Sequence, residues 1–297
     1  DYNVAVGYKA GDTITSGVRN TLIGTSAGDA LTTGGYNVAI GMYALSAEDG
    51  HGKNIAIGYD ALKVQNAGAD AYNVAVGYEA GLAMTIGSRN TIIGALAGDA
   101  LTTGYYNTAL GYQALSSSQT GRNAVAIGYQ ALMTEASTDT ETYNVAVGYR
   151  AGYLVSTGVQ NVFIGGSAGD AYTTGGQSVG IGFEALSTED DHGGSTAIGY
   201  RALKMQDSGA ANKNVAVGYN AGTNVTTGVE SVFIGGGAGD AVTTASANVA
   251  IGYSALSTED TMGNNVAVGY KALQDLNAGE NGNTVAIGAE AGRRLST

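Results

Sequence analysis

The chain has 297 residues, 49 of them Gly, with no Pro, Cys or Trp, and 13 Lys and Arg against 25 Asp and Glu give a formal net charge of −12. The absence of Cys excludes a disulfide framework, a thiolate nucleophile and cysteine-held zinc, and the negative balance argues against a nucleic-acid partner, which needs a basic stripe. No apolar run approaches the ~18 residues of a membrane-inserted helix, and 44% hydrophobic against 13% charged residues is too apolar for a disordered chain.

From the first rung onward the chain repeats itself. Asn3-Val4-Ala5-Val6-Gly7 returns as (N/S)-(V/T/I)-x-(V/I/L)-G, with Ala124 and Thr284 at the first position of two copies, and its Gly at 7, 24, 41, 58, 77, 94, 111, 128, 148, 165, 182, 199, 218, 235, 252, 269 and 288. The seventeen copies are 17 residues apart, except that every fourth gap is 19 or 20. Rungs therefore group in fours, in units of about 70 residues at approximately 3–72, 73–143, 144–213 and 214–283, with a partial fifth at 284–297. In most rungs a β-branched residue (Val4, Val38, Ile55) and an aliphatic one (Val6, Ile40, Ile57) flank a smaller residue. That alternation predicts a strand with one buried face, the two aliphatic positions forming dry stripes. The motif Gly supplies a bend, and a second Gly ten residues on (Gly17, Gly34, Gly68, Gly87, Gly104) supplies another.

A 17-residue period is too short for a helical-hairpin repeat, and frequent Gly costs a helix ~1 kcal/mol per interior position. The pattern predicts an all-β fold, a parallel β-solenoid running as one continuous array over 1–297. The extra residues of every fourth rung should bulge from a corner without shifting register. Rungs at strand spacing would make a rod of roughly 80 Å. Asn3, Asn20, Asn37 and Asn54 begin an amide ladder. Ala10, Ala27, Ala44 and Ala61 begin a column that is Ala in all seventeen rungs, as a steric ceiling would require. Directly after the motif Gly stands an aromatic or Met (Tyr8, Met42, Tyr59, Tyr78), but in the second rung of each unit a small residue (Thr25, Ala95, Gly166, Gly236). In those same rungs the residue two before the Gly becomes large: Leu22, Ile92, Phe163, Phe233. The swap suggests that the two positions share one volume. A coil this thin and rich in Ala favours association of several chains.

The strings N-T-A-L-G-Y-Q-A-L at 107–115 and N-V-A-V-G-Y-K-A-L at 265–273 resemble repeats of bacteriophage tail fibres. The N-V-A-V-G core is similar to the head repeat of trimeric autotransporter adhesins (the YadA-like head), although the rungs here are longer and carry the added Tyr. The resemblance implies a left-handed β-roll, a homotrimer, and a role in attachment at an extracellular or virion surface.

No catalytic constellation emerges, and neither an enzymatic activity nor a cofactor is expected. His51 and His192 are the only histidines, in equivalent third-rung corners beside Glu48 and Asp49 or Glu189, Asp190 and Asp191. Roughly 40 Å of solenoid would separate them, and they read as solvated corner residues. The second unit has Ser116, Ser117, Ser118 and Gln119 at that corner, which a dedicated metal site would not tolerate, and a further acidic pair is Glu259 and Asp260. Asp29, Asp99, Asp170 and Asp240 recur in A-G-D-A of each second rung. They are weak metal candidates, and a carboxylate accepting turn N–H bonds is the plainer reading. Gly-rich F-I-G-G-G-A-G-D at 233–240 lacks the helix that a phosphate loop needs. Thr pairs (Thr32 and Thr33, Thr102 and Thr103, Thr173 and Thr174, Thr243 and Thr244) fall in one rung of four, whereas an ice-binding array needs consecutive rungs. The tyrosines could stack carbohydrate. Both ends stop mid-pattern with no capping segment, as in a stretch of a longer fibre or a subunit that stacks end to end. The expected function is a non-enzymatic structural and adhesive fibre shaft. The alternatives are a self-assembling extracellular filament and, more remotely, an ice-binding solenoid.

Overall fold

The computed structural model describes residues 2–136, 141–209, 212–258, 261–276 and 282–295, and among them there is no helix. The chain forms two compact units, Asp1–Val147 and Gly148–Thr297. Unit one contains strands β1 (Val4–Val6), β2 (Thr21–Ile23), β3 (Val38–Ile40), β4 (Ile55–Ile57), β5 (Val74–Val76), β6 (Thr91–Ile93), β7 (Thr108–Leu110), β8 (Val125–Ile127) and β9 (Val145–Val147). Unit two contains β10 (Val162–Ile164), β11 (Val179–Ile181), β12 (Thr196–Ile198), β13 (Val215–Val217), β14 (Val232–Ile234), β15 (Val249–Ile251), β16 (Val266–Val268) and β17 (Val285–Ile287). Each is a parallel β-solenoid in which every strand pairs with the next in sequence, as the period predicts.

Register follows the motif. Val4 lies opposite Thr21 and Thr21 opposite Val38. The longer gaps do not disturb it: Ile55 still pairs with Val74, Val125 with Val145, and Thr196 with Val215. The added residues are accommodated outside the strands.

The motif Gly is required on two counts. Gly182 has φ +138°, and a Cβ there would lie 2.2 Å from the Gly199 carbonyl oxygen. The same close approach runs along the column. The second Gly column is also tight at Gly17, Gly34, Gly87 and Gly104, where a Cβ would meet a carbonyl oxygen of the next rung at 2.2–2.6 Å. Gly68 departs from that expectation, with open space around it, because it lies in the longer connection of the fourth rung. Between the corners the coil closes by turns, as in Ala10 N–H donating to Gly7 O, alternating with bonds to the next rung, as in Gly11 N–H to Ala27 O.

The interior overturns one expectation. The strand's middle residue points inward, and Ala39, Ala56, Ala197 and Ala216 are fully buried. The flanking aliphatics point outward and are half-exposed. Ala27, Ala44 and Ala61 also line the interior; Ala10, in the first rung, is half-buried.

The two positions of the swap, directly after the motif Gly and two before it, likewise do not share a volume. Phe163 and Phe233 are wholly buried, whereas Tyr8 is 71% exposed on the outside. Room for the large residue comes instead from glycine on the same side. A Cβ on Gly169 would sit 2.4 Å from the Phe163 ring, and one on Gly239 2.2 Å from that of Phe233. In third and fourth rungs this glycine is a buried Leu (Leu45, Leu62, Leu186, Leu203) and the strand's middle residue is small again.

Candidate functional site

Two surfaces and one buried polar column carry the chemistry. The first surface is the outer face of the strands. Stacking in register turns single Val and Ile positions into continuous columns, and Ile164, Ile198, Ile234 and Ile251 are each 37–38% exposed. Parallel sheets are ordinarily covered on both faces, so this one presents apolar area that the fold itself does not use.

The second surface lies just past the motif Gly. Tyr59 stacks on Tyr78 with ring centres 5.3 Å apart, Tyr112 on Tyr129 at 5.5 Å, Tyr200 on Tyr219 at 5.1 Å, and Tyr253 on Tyr270 at 5.8 Å. Each stack breaks at the second-type rung, where the ring is replaced by Ala95 or Gly236. The break beside Gly236 opens a hollow of about 230 Å³, lined by Tyr219, Asn220, Gly236, Gly237, Asp240, Tyr253 and Ser254.

The predicted amide ladder exists, but its main partner is the backbone. Asn20 N–H donates to Asn3 Oδ1 at 2.8 Å, Asn37 N–H to Asn20 Oδ1 at 2.9 Å, and Asn54 N–H to Asn37 Oδ1 at 3.0 Å. The Nδ2 of Asn20 donates to Gly34 O at 2.9 Å and that of Asn90 to Gly104 O at 2.9 Å. Asn20 and Asn90 thus tie their own strands to a corner and to a neighbouring strand, satisfying groups that would be orphaned in the lumen, whereas the buried Nδ2 of Asn54 finds no partner among the described residues. The first Thr of three pairs also serves the backbone: Thr32 Oγ1 donates to Asp49 O at 3.0 Å, Thr102 Oγ1 to Gln119 O at 2.9 Å, and Thr173 Oγ1 to Asp190 O.

The acidic corners are not uniformly solvated. Asp49 and Asp191 are exposed, but Glu48 and Glu189 are fully buried. The coil turns Glu48 inward at the position where first and second rungs place Ile14 and Leu31. Its Oε1 accepts from His51 N–H at 3.0 Å. Glu189 accepts from His192 N–H at 3.2 Å and from the amides of Gln206 and Asn212. Desolvation pushes both carboxyls above their ordinary range, against the hydrogen bonds that favour the charged form. Buried glutamates were missed in the sequence because burial of a Glu is read from its neighbours, not from its type.

Glu48, Asp49 and His51 place one ligand atom each within 4.8 Å of one another, as do Glu189, Asp191 and His192, and Glu189, Asp190 and Asp207. Such groups can hold a divalent cation through N and O donors. Among the described residues Asp29, Asp99, Asp170 and Asp240 join no such group. Burial raises the carboxyls of Asp99, Asp170 and Asp240, while main-chain N–H groups, and for Asp170 first the Ser167 hydroxyl, pull them back, the turn role that the spacing suggests. Glu259 and Asp260 lie outside the described residues.

Comparison with protein-family models, curated proteins and solved structures finds no match for this chain. Among the described residues no helix is long and apolar enough to cross a membrane.

Proposed function

We propose that the chain is a non-enzymatic structural and adhesive shaft, of the phage tail-fibre or adhesin-stalk kind, that acts at an extracellular or virion surface. Its copies associate through the outer strand face, as a homotrimer in the arrangement that the resemblance implies. One observation carries this reading: the branched aliphatic columns of the strands face outward, and the residue between them, most often alanine, faces the lumen. A regular apolar face is therefore offered to a partner, and the partner with the same 17-residue repeat of apolar side chains is a second copy.

Light scattering tests it. The expected mass is three times the 29.6 kDa of one chain. Ile198→Lys with Ile234→Lys should dissociate the assembly without changing the far-ultraviolet dichroism. A wild-type mass of one chain at every concentration would refute association. A mass that grows without limit would favour the filament reading instead.

A further inference from the structure

The interrupted tyrosine stack has a regular place for something the protein itself does not supply. Neighbouring rings in unit two sit 5.1–5.8 Å apart. At Gly236 one ring is left out, and the walls of the hollow are Tyr219 on one side and Tyr253 on the other. A gap two rungs wide spans ~9.6 Å. A single flat aromatic ring at contact distance on both faces needs only ~7 Å. A puckered saturated ring, with C–H groups directed at both walls, is thicker and fits better.

The polar lining narrows the choice. Asn220 Oδ1 and Asp240 Oδ1 are buried and have no hydrogen-bond partner. Both are acceptors, so the occupant must bring donors at its edge. Ser254 adds a hydroxyl that donates or accepts, and the floor is bare backbone at Gly236 and Gly237. The chain's net charge of −12 disfavours an anion. Asp240 belongs to the A-G-D-A series, whose turn bonds to the main chain leave its Oδ1 unused. The counterpart Asp99 also keeps a buried, unpartnered Oδ1.

We propose that the slot between Tyr219 and Tyr253 binds a neutral pyranose ring, its faces against the two tyrosines and its hydroxyls donating to Asn220 and Asp240. This deepens the adhesive half of the function proposed above and rests on it.

The probes are the methyl glycosides of glucose, galactose, mannose and N-acetylglucosamine, with acyclic sorbitol and flat phenol as controls. Saturation-transfer NMR and calorimetry would follow binding to the full chain in its own oligomeric state. At least one glycoside should bind in the millimolar range, and sorbitol and phenol should not. Gly236→Tyr continues the stack: a Cβ at this position lies at ordinary contact, 3.5 Å, from the Tyr253 ring. It should abolish binding. Asn220→Gly keeps the left-handed backbone of Asn220 (φ +54°) while removing one acceptor. It should weaken binding about tenfold, or ~1.4 kcal/mol. The site is refuted if no glycoside binds, if Gly236→Tyr leaves binding unchanged, or if sorbitol or phenol binds as well as the glycosides. Light scattering on the same samples keeps the two readings apart, since an assembled chain that ignores every glycoside loses the slot and keeps the shaft.

Discussion

Replacing Gly182 by Ala separates the two reasons for the motif glycine. The new methyl group would lie 2.2 Å from the Gly199 carbonyl oxygen and 2.5 Å from its carbon. Ordinary carbon contacts are ~3.5–4.0 Å, so neighbouring rungs must part by more than an ångström, or the backbone must turn. Holding Ala at φ +138° adds strain of ~1–3 kcal/mol, and overpacking against a fixed backbone adds ~1–3 kcal/mol. The expected loss is therefore about 4 kcal/mol. Gly237→Ala is the matched control. Its φ is +63°, its nearest atom is Asp240 Oδ2 at 3.4 Å, and the equivalent residues Asn220 and Ser254 adopt positive φ with side chains. That change should cost only ~1 kcal/mol. Urea denaturation followed by dichroism measures both, compared at unchanged slope so that the midpoints report stability. Equal losses, within ~0.5 kcal/mol, would show that inter-rung contact does not restrict this position, and the account of the glycine column would fall.

Three further changes probe the interior. Phe163→Ala should cost ~3–5 kcal/mol by opening a cavity in a lumen that cannot collapse; a loss under ~0.5 kcal/mol in the same assay would contradict its burial. Asn90→Leu removes the acceptor of Asn107 N–H and the donor to Gly104 O. Each buried orphan costs ~1–3 kcal/mol, so a change of less than ~1 kcal/mol would argue against the ladder. The third concerns pH. Glu48 and Glu189 have folded pKa values raised by desolvation. A raised carboxyl binds protons more readily in the folded state, so its contribution is most favourable below the unfolded value of ~4.3 and is lost as pH rises through the folded value. The double variant Glu48→Gln, Glu189→Gln should therefore flatten stability measured from pH 7 down to ~5 relative to the parent; an unchanged profile would count against protonation of these groups.

Fold class, period and register were written in the sequence because they rest on local requirements. A glycine at which the next rung's backbone approaches can be nothing else, and an Asn that bonds two neighbouring strands recurs in twelve of the seventeen rungs. Strand pairing across the longer fourth gaps was equally readable, since the motif resumes intact. Which face of each strand is inside could not be read from hydropathy. Val38 and Ala39 differ by two methyl groups, and the usual rule buries the larger; the closed coil reverses it, burying the alanine and turning the valine outward. The same closure sends Glu48 inward and Asp49 outward from adjacent positions, and places the gap beside Gly236 over Asn220 and Asp240. Those placements depend on the path of the turns around the coil, with left-handed residues such as Leu45 and Asp60 at its corners. Only the assembled coil makes that path visible.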